Sequence, residues 1–347
     1  MTRPDELRVA RLAAHATVSS QLAPLSDHRL SLLVDGATAA GAGIGGSTAT
    51  LEVGGVPVSV KRIPLTDLER RPEHVRSTAN LFELPGFYQY GVGSAGFGAW
   101  RELAVHTMTT EWVLAGDHQG FPLMYHWRVL PGGPPGDGAH AAFGTLDDAV
   151  AYWDGSAAVR RRLEGIRDST ASVVLFVEYL PQTLAALLAD QGPAAYRRVD
   201  EELAATAAFM RSRGLIHFDA HFLNLLTDGE HVYFSDFGLA LSTDFELSPE
   251  EREFFERHRD HDRAHVAGHL VLHHVADSVR GSAERDRFVR DWAEGARPQA
   301  VPASAAALLT RHARTATVLY DFRRRLRDES KRTPYPAAEL DDCLNGA

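Results

Sequence analysis

The chain has 347 residues, of which 44% are hydrophobic and 24% are charged, and it contains a single cysteine. This composition is typical of globular proteins and is enough for one large or two modest domains with their own cores. The formal net charge of -10 and the absence of a long basic run argue against a nucleic-acid partner.

The sequence also lacks the signals of membrane insertion and secretion. No apolar run approaches the roughly 20 residues of a membrane-spanning helix, and the acidic residues Asp5 and Glu6 do not fit a secretory signal. The lone Cys343 cannot form an internal disulfide, which favours a reducing compartment. We therefore expect a cytoplasmic protein without membrane association.

The N-terminal part begins with a helical pattern. Residues 5–23 place apolar side chains at helical spacing, and Pro24 ends the pattern. We expect a helical extension over residues 1–29, outside the main fold. The short apolar run from Leu30 to Val34 then predicts a strand.

A glycine-rich motif follows, and a predicted β-hairpin comes directly after it. The segments 48–53 and 56–63 alternate apolar and polar residues around Gly54-Gly55, and Lys61 lies on the second strand. The motif has the spacing G-x-G-x-x-G, with glycines at Gly41, Gly43 and Gly46. Glycines allow backbone amides to approach phosphate oxygens, and a lysine on the following hairpin can reach the inner phosphates. Together these features indicate a phosphate-binding segment.

Residues 64–98 contain several prolines and glycines and predict an inserted, loop-rich segment. A second G-x-G-x-x-G pattern lies within it, at Gly91, Gly93 and Gly96. It follows the aromatic run 87–90 and precedes a helical stretch, which is the context of a dinucleotide-binding motif. Because that run is not a Val/Ile/Leu-rich buried strand, we interpret the motif as a structural loop and keep NAD(P) binding as an alternative.

A helix is predicted over residues 100–115, with Gly116 as its C-terminal stop. The helix contains two acidic residues, Glu102 and Glu111. A nucleotide-binding lysine such as Lys61 needs a helix glutamate to hold it in an ion pair. We favour Glu102 for this role and expect Glu111 to be a solvated helix charge.

The next segments predict two further strands and a second insertion. Residues 121–130 form one strand pattern, and residues 131–170 combine a turn-rich breaker with a helical excursion. The run from Ser172 to Tyr179 is the strongest buried-strand signal in the chain, and a helix begins soon after it at Thr183. A strand that leaves a sheet through a short linker predicts a hinge between lobes, whose backbone can pair with an adenine edge.

The stretch 217–238 carries the clearest catalytic pattern. Asn224 lies five positions after Asp219, and Asp236 follows twelve positions later. In metal-dependent phosphoryl transfer one carboxylate orients an acceptor hydroxyl, while an amide oxygen and a second carboxylate hold Mg²⁺ against the phosphates. Two short apolar pieces around the turn 228–229 predict a small hairpin that brings Asn224 and Asp236 close together.

Helical patterns dominate after residue 194, and Ser248-Pro249 marks one helix start. Histidines recur every four residues in the helix beyond, and we interpret them as surface or interface residues rather than zinc ligands: His261, His265, His269 and His273. The triplet 258–260 imitates a catalytic His-x-Asp motif but lacks an asparagine five positions after its aspartate. We therefore exclude it as a site.

In this order the motifs resemble those of the protein-kinase-like superfamily, which includes Ser/Thr protein kinases and small-molecule kinases such as aminoglycoside and choline phosphotransferases. The resemblance covers about residues 30–248 and rests on four motifs: the first glycine motif, VSVK at 58–61, VEYL at 177–180 and HFDAHFLN…DFG at 217–238.

The resemblance implies an α+β fold with two lobes. The N-lobe, a small antiparallel sheet with one helix, would occupy residues 30–180, with insertions near 64–98 and 131–170. The mainly helical C-lobe would occupy residues 181–347, and it would contain the catalytic loop and the Asp-Phe-Gly motif at 217–224 and 236–238.

The resemblance also implies nucleotide-binding residues. The ATP phosphates would be covered by the glycines of the first motif, Gly41, Gly43 and Gly46. Lys61 would contact the α- and β-phosphates and pair with Glu102. Val177 would line the back of the adenine pocket, while Glu178 and Leu180 would offer backbone hydrogen bonds to the base.

For catalysis, the resemblance implies that Asp219 is the base or hydroxyl-orienting group, a role worth roughly 10²–10⁴ in rate. Asn224 and Asp236 would bind Mg²⁺. Asp262, on a later helix, would tie down the catalytic loop.

The chain departs from the protein kinases at three points. Phe218 stands where they carry an arginine that pairs with an activation-loop phosphate, which argues against that form of switching. His221 makes the loop more similar to that of the small-molecule kinases. The segment from Gly238 to Ser248 is short for gripping a protein substrate.

The sequence therefore predicts a kinase that uses Mg²⁺ and ATP and transfers the γ-phosphate to a hydroxyl. The acceptor is a protein Ser/Thr or a small molecule, such as an antibiotic or metabolite. Two alternatives stay open: a pseudokinase that binds nucleotide or a partner without catalysis, and an NAD(P)-dependent enzyme that uses Gly91–Gly96.

Overall fold

The computed structural model describes residues 3–43, 46–91, 93–133 and 143–346. Its contacts divide the chain into two units. Unit 1 comprises Met1–Leu180 together with Phe237–Ala240 and Phe245–Ser248, and unit 2 comprises Pro181–Asp236, Leu241–Asp244 and Pro249–Ala347. The main division thus falls between Leu180 and Pro181. Helices and an antiparallel sheet make the fold α+β, as the sequence predicted.

Unit 1 combines a five-stranded sheet with helices from several parts of the chain. Its described elements are, in order, α1 (Arg3–Leu22), α2 (Asp27–Asp35), β1 (Thr38–Gly43), β2 (Gly46–Val53), β3 (Val56–Leu65), 3₁₀ turns at Pro72–His74 and Gly86–Tyr90, α3 (Ala99–Ala115), β4 (Met124–Pro131), α4 (Leu146–Tyr152), α5 (Ala157–Arg167) and β5 (Ala171–Glu178).

The sheet has the strand order β1-β2-β3-β5-β4, and every neighbouring pair is antiparallel. Strand β5 lies between two partners, which explains why residues 171–177 are all buried. The predicted hairpin β2–β3 is confirmed. Its turn residues Gly54 and Gly55 have φ angles of 59° and 79°, left-handed values that glycine adopts without strain in tight hairpin turns.

Two predictions for the N-terminal part are wrong. Residues 30–34 belong to helix α2 and not to a strand, since Ser26 accepts a hydrogen bond from the Arg29 amide and caps the helix. Leu30 and Val34 are buried four residues apart on one helical face. Helix α1 exists as predicted but belongs to unit 1, where the Arg11 Nη2 atom donates to the Phe121 carbonyl at 2.6 Å.

Helix α3 packs on the sheet through Trp100 and Leu103, which join an apolar cluster with strands β3 and β5. It ends where predicted, at Gly116, whose φ of 86° suits a left-handed C-cap. At its start, the buried Glu69 carboxylate accepts from the Ala99 amide at 2.7 Å and pairs with Arg162 at 2.9 Å. A glutamate from the first insertion therefore caps this helix.

The two predicted insertions share a hydrophobic core of their own. Phe82, Tyr88 and Phe97 from the first insertion pack with Trp153 and Leu163 from the second. Residues 134–142 of the second insertion lie outside the described residues. The insertions are thus a folded layer of unit 1 and not isolated loops.

Unit 2 is mainly helical, with short strand pairs. Its described elements are, in order, β6 (Gln182–Thr183), α6 (Leu184–Gln191), a 3₁₀ turn (Gly192–Ala194), α7 (Tyr196–Ser212), β7 (Leu215–Ile216), β8 (Leu225–Thr227), β9 (Val232–Phe234), β10 (Leu241–Ser242), α8 (Pro249–His258), α9 (His261–Leu270), a π-helical turn (Val271–Ala276), α10 (Asp277–Arg280), α11 (Arg285–Ala293), α12 (Ala303–Asp328) and α13 (Ala337–Asn345).

Helix α9 lies at the centre of unit 2 and packs against α7 and α12. Gly268 permits the close approach to α12, because a Cβ atom there would lie 3.3 Å from Leu319 and 3.4 Å from Ala316. Within the described ranges, no helix is long and apolar enough to cross a membrane.

Candidate functional site

The sequence indicated that the first glycine motif lies between a strand and a hairpin. In the structure the motif instead lies in the β1–β2 hairpin. Gly41 and Gly43 belong to β1 and Gly46 begins β2, while residues 44–45 lie outside the described residues. Gly46 has φ of 145°, and a Cβ atom there would lie 2.1 Å from the Arg62 carbonyl oxygen. The pairing of β2 with β3 therefore requires glycine at position 46, independently of any role in phosphate binding.

Lys61 and Glu102 form the ion pair that the sequence predicted. The Lys61 Nζ atom lies 2.6 Å from Glu102 Oε1, and the two side chains are 14% and 3% exposed. Lys61 is on β3 opposite Leu175 of β5, and Glu102 is in the first turn of α3. The alternative, Glu111, is exposed on the same helix.

The end of β5 is held by a contact that the sequence did not reveal. The buried Arg11 of α1 donates to both carboxylate oxygens of Glu178, at 2.9 and 2.7 Å, a bidentate geometry that is strong and orienting. The Glu178 amide donates to the Leu123 carbonyl at 2.8 Å. Of the two backbone groups of Glu178, the carbonyl is therefore the one that could accept a hydrogen bond from an adenine. Val177 is buried in the cluster under α3, and Leu180 is half-buried.

In unit 2, the start of the predicted catalytic loop is tied to helix α9. The buried Asp262 carboxylate accepts from the His217 amide at 2.6 Å and from the Phe218 amide at 3.0 Å. Phe218 has φ of 65°, a left-handed value that is costly for a phenylalanine. Asp262 thus holds a strained turn directly before Asp219, as the sequence predicted for this acid.

Within the loop, Asn224 bridges the backbone and side chain of Asp219. Its Nδ2 atom donates to the Asp219 carbonyl and to Asp219 Oδ2, both at 3.0 Å. The other carboxylate oxygen lies 3.7 Å from His221 Nε2. Because an amide has separate donor and acceptor ends, this bond commits the Asn224 nitrogen to Asp219 and leaves its oxygen for a cation.

Asp236 is brought near Asp219 by the small hairpin that the sequence predicted. Leu225 of β8 pairs with Phe234 of β9, and the Ser235 hydroxyl and amide donate to the Asn224 carbonyl at 2.6 and 3.3 Å. Burial raises the pKa of Asp219, and the negative charge of Asp236 raises it further. Two carboxylates that repel each other electrostatically are a natural site for a cation.

The residues present fit Mg²⁺ only in part. Asn224 and Asp236 supply oxygen ligands, which Mg²⁺ prefers, but this ion needs six ligands. No group of three or more His, Cys, Asp or Glu suited to a metal occurs among the described residues. The donor set therefore fits a cation that takes its other ligands from phosphate oxygens and water.

The prediction that the histidine row lies at a surface or an interface is wrong for its first two members. His261 and His265 are buried, while His269 and His273 are half-buried. The His261 ring lies 4.8 Å from the Phe218 ring, and the His269 ring lies 4.5 Å from Phe222. The apolar residues between them were the available signal, because they make this helix buried on most sides: Ala264, Val266, Ala267 and Leu270.

The excluded triplet at the end of α8 has structural roles. The His258 ring stacks on Phe254 at 3.9 Å, and burial lowers the pKa of His258 to about 3. Asp260 pairs with Arg211 at 2.9 Å and with Arg263 at 2.7 Å.

The second glycine motif is explained by packing. The residues before it, Gly86–Tyr90, form a 3₁₀ turn and not a strand. At Gly96, with φ of 73°, a Cβ atom would lie 2.4 Å from the Gly238 carbonyl oxygen, and at Gly93 it would lie 2.1 Å from Phe143. The strand–glycine–helix context of a dinucleotide-binding motif is not present here.

The segment after Asp-Phe-Gly is fastened to the first insertion within unit 1. The exposed Glu246 accepts hydrogen bonds from the Ser77 hydroxyl and from the Thr78 and Ala79 amides, the latter two at 3.1 and 3.2 Å. Next to Glu102 on α3, the Arg101 Nε atom donates to the Thr78 carbonyl at 2.7 Å. These hydrogen bonds tie the segment after Asp-Phe-Gly to residues 77–79 of the first insertion.

In comparisons with known proteins, no family model matches this chain, and no curated protein is significantly similar to it. The geometry of the described residues therefore carries the functional argument.

Proposed function

We propose that this protein is a Mg²⁺- and ATP-dependent kinase of the protein-kinase-like type, with unit 1 as its N-lobe and unit 2 as its C-lobe. It transfers the γ-phosphate of ATP to a hydroxyl group on a protein or a small molecule.

The observation that carries the proposal is the geometry of the loop from His217 to Asp236. The loop acid Asp219 accepts a hydrogen bond from the side-chain amide of Asn224, and the negative charge of Asp236 raises its pKa. This combination supports phosphoryl transfer, because it joins a hydroxyl-orienting carboxylate to two oxygen ligands for the nucleotide's metal ion.

Unit 1 supports the nucleotide-binding part of the proposal. The ion pair with Glu102 holds the Lys61 ammonium in one position, from which it can contact the α- and β-phosphates. The carbonyl of Glu178 and the backbone of Leu180 remain candidates for the adenine edge.

In the proposed mechanism, the Asp219 carboxylate accepts the proton of the acceptor hydroxyl or orients it for in-line attack on the γ-phosphorus. The new bond joins the acceptor oxygen to the γ-phosphorus, the bond from the γ-phosphorus to the β–γ bridging oxygen breaks, and ADP leaves. Asn224 and Asp236 would hold the metal ion, which would neutralise charge on the phosphate oxygens. His221, 3.7 Å from Asp219, lies close enough to contact the acceptor or the proton.

The direct test is a screen for transfer of radiolabelled γ-phosphate to generic protein substrates and to hydroxyl-bearing small molecules. Transfer that requires Mg²⁺ and is lost in both Asp219→Asn and Asp236→Ala would support the proposal. If both variants turn over ATP like the unmodified protein, the proposal is wrong.

The pseudokinase alternative is separated by combining binding with turnover. Melting temperatures measured with ATP, with and without Mg²⁺, report binding, and phosphate release reports catalysis. Stabilisation by Mg²⁺ and ATP without any turnover would favour the pseudokinase. Stabilisation by NAD(P) and not by ATP would favour the dinucleotide alternative.

A further inference from the structure

Arg323 of helix α12 is a cation without a carboxylate partner in the described part of the chain. Its Nη2 atom lies 3.2 and 3.1 Å from the two ring nitrogens of His265, and no acidic side chain comes within the 4.0 Å of an ion pair. A neutral imidazole has one acceptor nitrogen, so at most one of these contacts is a full hydrogen bond. Arg323 is half-buried, and its burial lowers the pKa of the guanidinium.

His269, one turn beyond His265, has an unpartnered donor. The Phe222 amide lies 3.5 Å from His269 Nε2 and can only donate to it. Burial and nearby positive charge lower the pKa of His269, so the ring is neutral and carries its hydrogen on Nδ1. This Nδ1 atom is buried and has no hydrogen-bond partner among the described residues. A buried donor of this kind calls for an acceptor, such as a water molecule or an oxygen atom of a ligand.

Both groups lie near the loop that carries the proposed catalytic aspartate. Phe222, which contacts His269, belongs to the same loop as Asp219. The positive charge of Arg323 favours the ionised form of Asp219, which in turn favours the charged form of Arg323. An acceptor whose hydroxyl reached Asp219 would therefore bring its other groups to Arg323 and His269.

The acidic residues on the neighbouring helices have other partners, since Arg285 pairs with Asp277 at 3.0 Å and with Asp286 at 3.4 Å. Asp219 offsets part of the charge of Arg323 electrostatically but lies beyond ion-pair distance. The guanidinium fork of Arg323 therefore lacks a carboxylate bonded directly to it among the described residues.

We propose that the phosphoryl acceptor carries an oxyanion, a carboxylate or a phosphate, which binds to Arg323 and to the Nδ1–H of His269. The planar guanidinium fork matches both kinds of oxyanion. That the bound anion belongs to a phosphoryl acceptor rests on the proposed kinase function. The anion site itself does not depend on catalysis.

The site is tested first by binding alone, with inorganic phosphate as the probe and calorimetry as the measurement. The Lys61→Met variant removes the phosphate-contacting lysine of unit 1, and further changes are made in that background. We expect Arg323→Gln to weaken phosphate binding at least tenfold. The matched control is Arg324→Gln, since Arg324 is the next residue of α12 and is partly exposed with Glu329 as its partner; it should bind as the parent does.

A second variant protects the test against misfolding. If Arg323→Gln does not show a native melting transition, Arg323→Lys keeps the charge but loses the fork, and it should still weaken phosphate binding several-fold. Equal binding by the folded Arg323 variant and the control, or no phosphate binding by the parent, overturns the proposal.

The acceptor assignment is tested separately by kinetics, with pairs of hydroxyl compounds that do or do not carry a carboxylate or phosphate. We expect preferential phosphorylation of the anionic members and a rise in their KM in Arg323→Lys. Efficient phosphorylation of neutral and cationic members alone would overturn the acceptor assignment while leaving the kinase function intact. Phosphate binding at Arg323 without any transfer would instead contradict the kinase function and leave the anion site standing.

Discussion

At the residue scale, Asp219 combines a costly position with a proposed chemical role. Its carboxylate is partly buried near Asp236, and it is held by the Asn224 amide. We expect Asp219→Asn to lower phosphoryl transfer by roughly 10²–10⁴, because the amide cannot take the hydroxyl proton. Asp190→Asn, at an exposed acid of α6, is the control and should leave the rate unchanged. Radiolabel transfer under saturating ATP measures both.

The same residue should destabilise the folded protein in the absence of metal. Since burial and Asp236 raise the pKa of Asp219, the ionised carboxylate is less favourable in the folded than in the unfolded state. Asp219→Asn should therefore raise the melting temperature at pH 7 in EDTA. The gain should shrink as the pH falls through the raised folded-state pKa, where the native acid becomes protonated. A lower melting temperature for the variant at pH 7 would contradict this reading.

At the element scale, helix α3 positions Lys61, the proposed nucleotide-binding lysine. Glu102→Gln leaves the Lys61 ammonium without its charged partner in a largely buried place. We expect the free energy of unfolding to fall by about 3 kcal/mol and the KM for ATP to rise roughly tenfold, equivalent to about 1.4 kcal/mol. Glu111→Gln, on the exposed face of the helix, should change stability by less than about 0.5 kcal/mol. Urea denaturation and initial-rate kinetics distinguish the two variants.

Helix α9 positions the proposed catalytic loop through Asp262. Asp262→Ala would leave the buried amides of His217 and Phe218 without acceptors, and we expect a loss of about 3 kcal/mol of stability. The left-handed turn at Phe218 should then relax. We expect kcat to fall while the KM for ATP changes little, since Asp262 is a positioning residue. Asp341→Ala, at an exposed acid of α13, serves as the control. An Asp262→Ala variant with native stability and native kcat would show that the loop keeps its conformation without Asp262.

At the scale of the whole molecule, unit 1 is not a continuous segment of the chain. The first insertion binds residues from beyond position 236: the Gln89 amide donates to the Leu239 carbonyl, and Glu246 binds residues 77–79. We expect a fragment of residues 1–180 to unfold at lower temperature and less cooperatively than unit 1 does in the full chain. Joining residues 236–249 to the fragment by a flexible linker should restore cooperative unfolding in circular dichroism. An equally cooperative transition without them would refute this dependence.

The same contacts bear on regulation. In the proposed kinase, Phe218 would stand where protein kinases carry an arginine that receives an activation-loop phosphate, and the Glu246 carboxylate binds residues 78–79 of the first insertion. A kinase built in this way should not need phosphorylation of that segment for activity. We therefore expect activity in the protein as expressed, and treatment with a phosphatase should leave it unchanged.

Parts of the fold and the candidate site could be predicted because their signals are local. Period-two alternation around Gly54-Gly55 predicts the hairpin, and Gly116 predicts the end of α3, since only glycine adopts these backbone angles without strain. The loop from Asp219 to Asp236 is likewise contained in a short stretch whose own hairpin brings its polar groups together.

What the sequence could not decide depends on contacts between distant residues. The apolar run 30–34 fits either a strand or a helix, and only its capping and burial select the helix. The pair of Arg11 with Glu178 joins residues 167 positions apart, so no local pattern contains it. The histidine row of α9 was misjudged because burial depends on which helices surround it.

The sequence by itself therefore determined the polar pattern on which the proposed chemistry rests, since the residue types and their spacing in the loop 217–236 are local properties. Only the tertiary structure decided which glutamate pairs with Lys61, because this depends on the face that α3 presents to the sheet. It also decided that Arg323 and the α9 histidines lie near the proposed catalytic loop. Their distance in sequence from Asp219 is large, and only the packing of α12 on α9 brings them together.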